Sequence, residues 1–384
     1  MEDFHPAVRA WFGQRFRDGP TPPQRDAWPH IAARRHTLVA APTGSGKTLS
    51  AFLVAIDRLY KAHERGEVTD NITRVVYVSP LKALAVDIAE NLERPLLEIA
   101  SVAKSMGLTA PTIRVGVRSG DTPTSQRAAM VKKPPAFLVT TPESLYLMCT
   151  SSKARAALST AETLIIDEIH SLARDKRGSH MSLTMERLER LCVEAGGEPP
   201  VRVGLSATQK PISTVANLLI GARVDESGDP DCVVVDSGHV RELDLGLVIP
   251  PSEMEAIAPA EQMGEILDQI SDLVAQHTTT LVFVNTRRMA ERISHELGER
   301  LAEKFPEGFG GVEPGGAGAE AFVAAHHGSL SKDRRALVEQ RLRAGDLKAL
   351  VATASLELGI DVGPVDLVCQ LLSLIHISEP TRPY

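Results

Sequence analysis

The chain has 384 residues, of which 43% are hydrophobic and 24% charged, a composition ordinary for a globular protein of two or three domains at about 150 residues each. Its apolar runs are too short to cross a membrane, its four cysteines form no Cys-x-x-Cys pair typical of a zinc site, and its formal net charge of -7 excludes a global attraction to nucleic acid. The acidic start Met1-Glu2-Asp3 argues against a leader peptide, so we expect a cytoplasmic protein.

A phosphate-binding loop is the first informative feature along the chain. The run Ala41-Pro42-Thr43-Gly44-Ser45-Gly46-Lys47-Thr48 follows an apolar segment at residues 37–41 and precedes an amphipathic one at residues 49–59. This order predicts a strand, a loop and a helix, although the first position is alanine where the strict pattern has glycine. The glycines let backbone N–H groups face phosphate oxygens, Lys47 adds charge, and the Thr48 hydroxyl can ligate Mg²⁺. We therefore predict a nucleoside triphosphate site formed by Pro42, Thr43, Gly44, Ser45, Gly46, Lys47 and Thr48.

Short β-branched runs then alternate with helical patterns. The predicted strands lie at residues 37–41, 74–79, 112–117, 137–140, 163–166 and 201–206. Helical patterns at residues 83–99 and 182–191 separate some of them. Such alternation predicts an α/β domain with a parallel sheet covered on both faces, and we assign it to residues 1–238.

Two adjacent acids follow the predicted strand at residues 163–166. In the run Asp167-Glu168-Ile169-His170 both carboxylates lie at the C-terminal edge of the sheet, where open α/β sheets bind ligands. Hydrolysis of a γ-phosphate needs a metal and an oriented water. We assign Asp167 to Mg²⁺ and Glu168 to the attacking water. Ser206 and Thr208 end another strand, where their hydroxyls are candidates to relay the state of the nucleotide.

A second α/β domain is predicted at residues 239–384, after a connector rich in proline and glycine. Its strands are predicted at residues 280–284, 321–325, 349–352 and 365–369, and its helices at residues 261–276, 287–301 and 332–344. A glycine-rich stretch at residues 308–318 is typical of a surface loop. Only the first domain contains a phosphate loop, so the second is expected to bind substrate or to complete the nucleotide site.

The motif series resembles that of superfamily 2 helicases of the DEAD/DEAH type. Its members in chain order are Gln24, residues 41–48, 79–87, 140–145, 167–170 and 206–208, Asn285-Thr286-Arg287, His327-Gly328-Ser329 and residues 351–363. Within that superfamily, Ser144-Leu145-Tyr146, the Asp-Glu-Ile-His run and Arg177-Gly178-Ser179-His180 are most similar to the Lhr (large helicase-related) proteins. The resemblance implies two tandem RecA-like P-loop NTPase domains and an ATP-dependent DNA helicase or translocase linked to DNA repair.

The resemblance also implies roles for single residues. Gln24 is expected to contact adenine, with Phe16 or Trp11 as a candidate stacking partner, and Gly359 and Asp361 are expected to face the ATP. His170, Ser206 and Thr208 are expected to couple the nucleotide to the nucleic acid. The residues implied to bind nucleic acid are Lys82, Thr141, Asn285, Arg287, His327, Ser329 and Thr353. The implied partner is single-stranded DNA, with RNA as the alternative.

The chain departs from this family after Gln370. The expected Gln-x-x-Gly-Arg-x-Gly-Arg block, whose arginines reach the γ-phosphate, does not follow, and residues 371–384 match nothing in the family. We therefore expect a truncated, incomplete second domain and slow ATP hydrolysis, since an arginine finger is worth about 10³ to 10⁵ in turnover. Two alternative functions stay open, an RNA-dependent ATPase of the same superfamily and a nucleic-acid clamp that ATP switches without turnover.

Overall fold

The computed structural model describes residues 1–42, 44–80, 82–173, 176–207, 210–238, 244–252, 259–304, 322–353 and 365–371. The chain divides into two compact units, Met1–Arg241 and Glu242–Tyr384. Each unit has its own sheet and its own apolar cores.

The sheet of the first unit is entirely parallel over its described strands. These are β1 (Thr37–Ala40), β2 (Val75–Val78), β3 (Val115–Arg118), β4 (Phe137–Thr140), β5 (Thr163–Ile166), β6 (Val201–Ser206) and β7 (Val233–Asp236). Their order across the sheet is β3-β4-β2-β5-β6-β1-β7. The phosphate loop and the paired acids therefore follow strands that lie on either side of β6.

Helices cover both faces of this sheet. Those described are α1 (Pro6–Arg15), α2 (Pro22–Ala32), α3 (Lys47–Glu64), α4 (Lys82–Ser105), α5 (Thr124–Lys132), α6 (Pro142–Thr150), α7 (Arg155–Leu158), α8 (Ile169–Leu172), α9 (Lys176–Glu194) and α10 (Ile212–Ile220). Alternate strand residues enter two cores, because successive side chains point to opposite faces. Val39 and Tyr77 pack with α1–α4, whereas Leu38 and Val76 pack with α6–α10.

The second unit repeats the architecture with a smaller described sheet. Its strands are β8 (Thr280–Val284), β9 (Val323–His326), β10 (Ala349–Ala352) and β11 (Leu367–Leu371), and its helices are α11 (Ala260–Gln276), α12 (Arg287–Lys304) and α13 (Lys332–Ala344). The strand order is β11-β8-β10-β9, and every pair is parallel. One core packs under α11 and α12 and another under α13.

The predicted fold class, two α/β domains with parallel sheets, is confirmed. Sequence reasoning placed β3 at Thr112 and β11 at Val365, whereas the strands begin at Val115 and Leu367. It did not identify α1, α2 or β7. The predicted loop at residues 308–318 lies outside the described residues. Within the described ranges, no helix combines the length and the apolar character needed to cross a membrane.

Candidate functional site

The loop between β1 and α3 has the backbone geometry that a phosphate loop requires. Gly44 and Gly46 both have φ of +80°, in the left-handed region that a side chain disfavours. Gly46 caps α3, whose first residue is Lys47, and Thr48 follows half-buried in the first turn. The N-terminus of a helix offers backbone N–H groups and a positive dipole end to an anion. Thr43 lies outside the described residues.

Two residues that precede α3 in the sequence anchor this loop. The Thr21 hydroxyl donates to the Ser45 carbonyl at 2.8 Å, and the Gln24 amide Nε2 donates to the Gly46 carbonyl at 3.2 Å. Gln24 is buried, and its Oε1 accepts from the Thr21 N–H at 3.1 Å. A Cβ at Gly46 would displace the Gln24 amide, and the positive φ of Gly46 also disfavours a side chain, so glycine suits this position. Gln24 therefore shapes the phosphate loop directly.

One of the two predicted stacking partners is wrong. Trp11 is buried in the core, and its Nε1 donates to Glu98 Oε2 at 2.8 Å, so its ring is not available to a base. Phe16 is partly exposed and packs against Phe12, with 4.7 Å between ring centroids.

The Asp167 carboxylate is buried at the end of β5. The Tyr77 hydroxyl donates to its Oδ2 at 2.5 Å, and the Glu168 N–H donates to its Oδ1 at 2.9 Å. Burial, followed by repulsion from the Glu168 carboxylate, raises the pKa of Asp167 to about 6. The positive charge around Asp167 is therefore too small to offset the negative charges of both carboxylates.

Glu168 occupies a strained backbone position between Lys47 and His170. Its φ of +45° lies in the left-handed region, which non-glycine residues adopt mainly where the structure requires it. Its Oε1 is 3.3 Å from Lys47 Nζ, and its Oε2 is 3.3 Å from His170 Nε2. Among the described residues, no acceptor forms a well-aligned hydrogen bond with Lys47 Nζ, although the Lys47 side chain is buried. The ammonium group is thus held in place for a further acceptor.

His170 connects these acids to the end of β6. The Ala207 N–H donates to His170 Nδ1 at 3.2 Å, and Ser206 Oγ lies 3.3 Å from the same nitrogen. Because Nδ1 accepts a hydrogen bond, the neutral imidazole carries its hydrogen on Nε2, which faces Glu168. Contacts therefore run continuously from Lys47 through Glu168 and His170 to Ala207. Thr208 lies outside the described residues.

The donor set fits a magnesium ion. Mg²⁺ prefers hard oxygen ligands, usually one or two carboxylates together with substrate phosphates. Asp167 offers a carboxylate in a site where burial has raised its pKa, and Thr48 offers a hydroxyl beside Lys47. A divalent cation would supply the positive charge that the two adjacent carboxylates lack.

The nucleic-acid residues predicted in the first unit lie at the starts of helices. Lys82 is the first residue of α4. Thr141 caps α6, since its Oγ1 accepts from the Ser144 N–H at 3.4 Å, and the side chain is buried. Thr141 thus has a structural role in this helix, and contact with nucleic acid stays a prediction.

The structure brings three predicted residues of the second unit together. Arg287 begins α12 and donates from Nη1 to Ser329 Oγ at 2.6 Å, and both residues are exposed. His327 is buried, accepts from the Ser329 N–H at 3.2 Å and contacts Glu291 Oε1 through Nε2 at 2.7 Å. His327 therefore supports the exposed residues rather than being exposed itself.

The remaining predicted residues have less structural context. Asn285 is exposed directly after β8. Thr353 follows β10, where its N–H donates to the His326 carbonyl at 3.3 Å. Gly359 and Asp361 lie outside the described residues.

Sequence reasoning missed Tyr77, Thr21 and Glu291. Tyr77 could have been found, because a tyrosine in the middle of a buried strand needs a partner for its hydroxyl. Thr21 and Glu291 carry no such signal, since each meets its partner only through tertiary packing.

Comparison with known proteins identifies the chain's relatives. The DEAD/DEAH box helicase profile matches residues 21–217, and the helicase conserved C-terminal domain profile matches residues 262–373. The Lhr helicase/probable uracil glycosylase of Mycolicibacterium smegmatis is 46% identical over 96% of this chain and 24% of its own length. The ATP-dependent helicase Lhr-Core of Methanothermobacter thermautotrophicus is 42% identical over 98% of this chain and 41% of its own length.

A solved structure supports the same relationship. The Mycobacterium smegmatis helicase Lhr bound to ssDNA and AMP-PNP is similar with a TM-score of 0.77 and 46% identity, over 96% of this chain and 44% of that one. The chain thus spans less than half the length of the relatives it matches. It has the RecA-like helicase fold, belongs to the DEAD/DEAH box helicase family, and is homologous to Lhr helicases over nearly all of its residues.

Proposed function

We propose that this chain is the ATP-dependent core of a helicase that moves on single-stranded DNA. The observation that carries the proposal is the continuous set of contacts from Lys47 through Glu168 and His170 to Ala207. Such a set links the end of the phosphate loop to the two neighbouring strand ends. A change at the γ-phosphate therefore alters contacts beyond the phosphate loop.

In this mechanism each side chain has a separate task. Lys47 Nζ holds the outer phosphates, with the N–H groups at the start of α3. Glu168 orients the attacking water and accepts its proton, while His170 Nε2 keeps the carboxylate in place. Bound Mg²⁺, held by Asp167 and Thr48, would neutralise charge that develops on the phosphates.

Support for DNA as the partner comes from the relatives. The solved Lhr relative binds ssDNA and AMP-PNP, and Arg287 and Asn285 are exposed where a phosphate backbone can reach them. We extend the proposal to a role in DNA repair, which the name of the glycosylase-linked relative favours. The cytoplasmic location stays a prediction.

Phosphate release tests this function, and because hydrolysis by the chain is expected to be slow, release is followed over a long time course with the chain in excess of ATP. We expect single-stranded DNA to stimulate release more than RNA of the same sequence. Glu168→Gln should lower release about 10² to 10⁴-fold, because it removes the base that activates water, while nucleotide affinity is retained. Glu194→Gln, at the exposed end of α9, is the matched control. Unchanged release by Glu168→Gln would contradict the assignment of the base.

The same assay separates the two alternatives. Stronger stimulation by RNA than by DNA would favour the RNA-dependent ATPase. ATP-dependent retention of DNA on a filter, with no phosphate release, would favour the clamp. Displacement of streptavidin from a biotinylated strand end would measure movement itself.

A further inference from the structure

We propose that Arg177 is a positioning residue that fixes the relative position of two nucleic-acid-binding segments of the first unit, the starts of α4 and α6. This inference rests on the proposed function. Arg177 lies near the start of α9, in the Arg-Gly-Ser-His run to which the nucleotide chemistry assigns no role.

Arg177 contacts both segments at once. Its Nε donates to Glu143 Oε1 at 2.8 Å, and its Nη2 donates to the Pro80 carbonyl at 2.8 Å. Pro80 lies two residues before Lys82, the first residue of α4, and Glu143 lies two residues after Thr141, the cap of α6. The planar guanidinium fork can bond two acceptors in fixed directions, which a lysine ammonium does not reproduce.

The contact between Arg177 and Glu143 lies at one end of the packing interface between α6 and α9. One turn further along both helices, the rings of Tyr146 and His180 lie 4.6 Å apart. The Arg187 guanidinium is 5.3 Å from the centroid of the Tyr146 ring. Residues three apart share a helix face, so the two pairs align the same faces of α6 and α9. The start of α6 is therefore docked at several points.

On its other side, the start of α9 touches the helix that follows the catalytic acids. A Cβ at Gly178 would lie 2.0 Å from the Leu172 carbonyl oxygen, so only glycine permits this approach. Leu172 ends α8, which begins directly after Glu168. Arg177 and Gly178 thus join the nucleotide site to the two predicted nucleic-acid segments. Positioning by Arg177 would carry a change at Glu168 to the DNA.

Direct contact between Arg177 and a DNA phosphate is the competing explanation, because the Arg177 side chain is 41% exposed and that of Glu143 is 55% exposed. The two explanations differ in what they require of Glu143. If Arg177 positions the segments, Glu143 is its necessary partner and its loss weakens DNA binding. If Arg177 binds phosphate, loss of the nearby negative charge leaves binding unchanged or strengthens it.

The test measures the affinity of the full chain for a fluorescent oligo-dT at several salt concentrations. We expect Arg177→Ala and Glu143→Ala each to weaken binding about 5- to 10-fold, which corresponds to about 1 to 1.4 kcal/mol. The double variant should bind DNA no more weakly than Arg177→Ala does, because the two single substitutions remove the same interaction between Arg177 and Glu143. Arg177→Lys should behave as Arg177→Ala, and Glu143→Gln, which keeps an acceptor, should restore binding.

Two controls make the outcome specific. Nucleotide affinity should be unchanged in every variant, and Arg190→Ala, which breaks an exposed pair with Glu194 on the same helix, should bind DNA normally. Hydrogen exchange of the free chain gives a readout without DNA. Exchange at the starts of α4 and α6 should rise in Arg177→Ala and Glu143→Ala.

Normal binding by Arg177→Lys together with normal or stronger binding by Glu143→Ala would overturn the proposal in favour of direct phosphate contact. In that case the slope of log affinity against log salt should also fall by about 0.7 in Arg177→Ala. Unchanged hydrogen exchange in both alanine variants would likewise overturn it. Failure of the parent chain to bind DNA would instead contradict the proposed function.

Discussion

The charged residues near the carboxyl ends of the strands are buried in the first unit and exposed in the second. In the first unit, Lys47 and Asp167 are only 6% and 4% exposed, and Glu168 lies between Lys47 and His170. In the second unit, Arg287 and Ser329 are exposed, and the Ser329 N–H donates to the buried His327. Burial strengthens electrostatic interactions with a small ligand, whereas exposure lets a long polymer reach its contacts. The difference predicts a chemical site at one edge and a binding surface at the other.

Lys47→Ala should give the largest effect and tests the buried edge. The substitution removes the ammonium group that would meet the outer phosphates, and losing one partner of a buried charge pair at a binding site costs about 2–5 kcal/mol, which corresponds to a loss of about 30-fold or more in affinity. Titration with a fluorescent ATP analogue measures this loss. Lys104→Ala, an exposed lysine near the end of α4, should bind as the parent does. Equal affinities for the two variants would show that the buried lysine has no special role.

Asp167→Asn should show how much stability the chain loses when the buried Asp167 carboxyl group ionises. The pKa of Asp167 is raised from 3.8 to about 6 in the folded chain, so the native state binds this proton more tightly than the unfolded state. Its contribution to stability therefore falls as pH rises between these values, by up to about 3 kcal/mol. In urea unfolding without nucleotide, Asp167→Asn should exceed the parent in stability at about pH 7.5 and match it at about pH 4. A variant less stable than the parent at the higher pH would contradict this.

Arg287→Ala should have the smallest effect and tests the exposed edge. We expect stability to change by less than about 0.5 kcal/mol, as is usual for surface substitutions. Affinity for single-stranded DNA should fall, and the slope of log affinity against log salt should decrease by about 0.7 for one lost phosphate contact. Arg292→Ala, five residues further along α12 and paired with Glu296, serves as the control. An unchanged slope would remove Arg287 from the binding surface.

Local patterns predicted much of the fold and of the nucleotide site. Short apolar runs that alternate with helical patterns identified most strands of both units, because a parallel strand buried on both faces must be apolar throughout. The edge strand β7 was missed, although Val233-Val234-Val235 is a β-branched run of the kind that identified the other strands. The wrong assignment of Trp11 has a different cause. Nothing local distinguishes an aromatic ring that faces a ligand from one that packs in a core.

By itself, the sequence determined the order of the elements, the phosphate loop and the place of the paired acids at a strand end. These depend on glycine geometry, on apolar periodicity and on the rule that parallel strands end at a common edge. Only the tertiary structure decided which groups meet, including Tyr77 with Asp167, Gln24 with Gly46 and Arg177 with Pro80 and Glu143. Such contacts join residues far apart in the chain, so their partners depend on helix packing and strand order rather than on any local pattern.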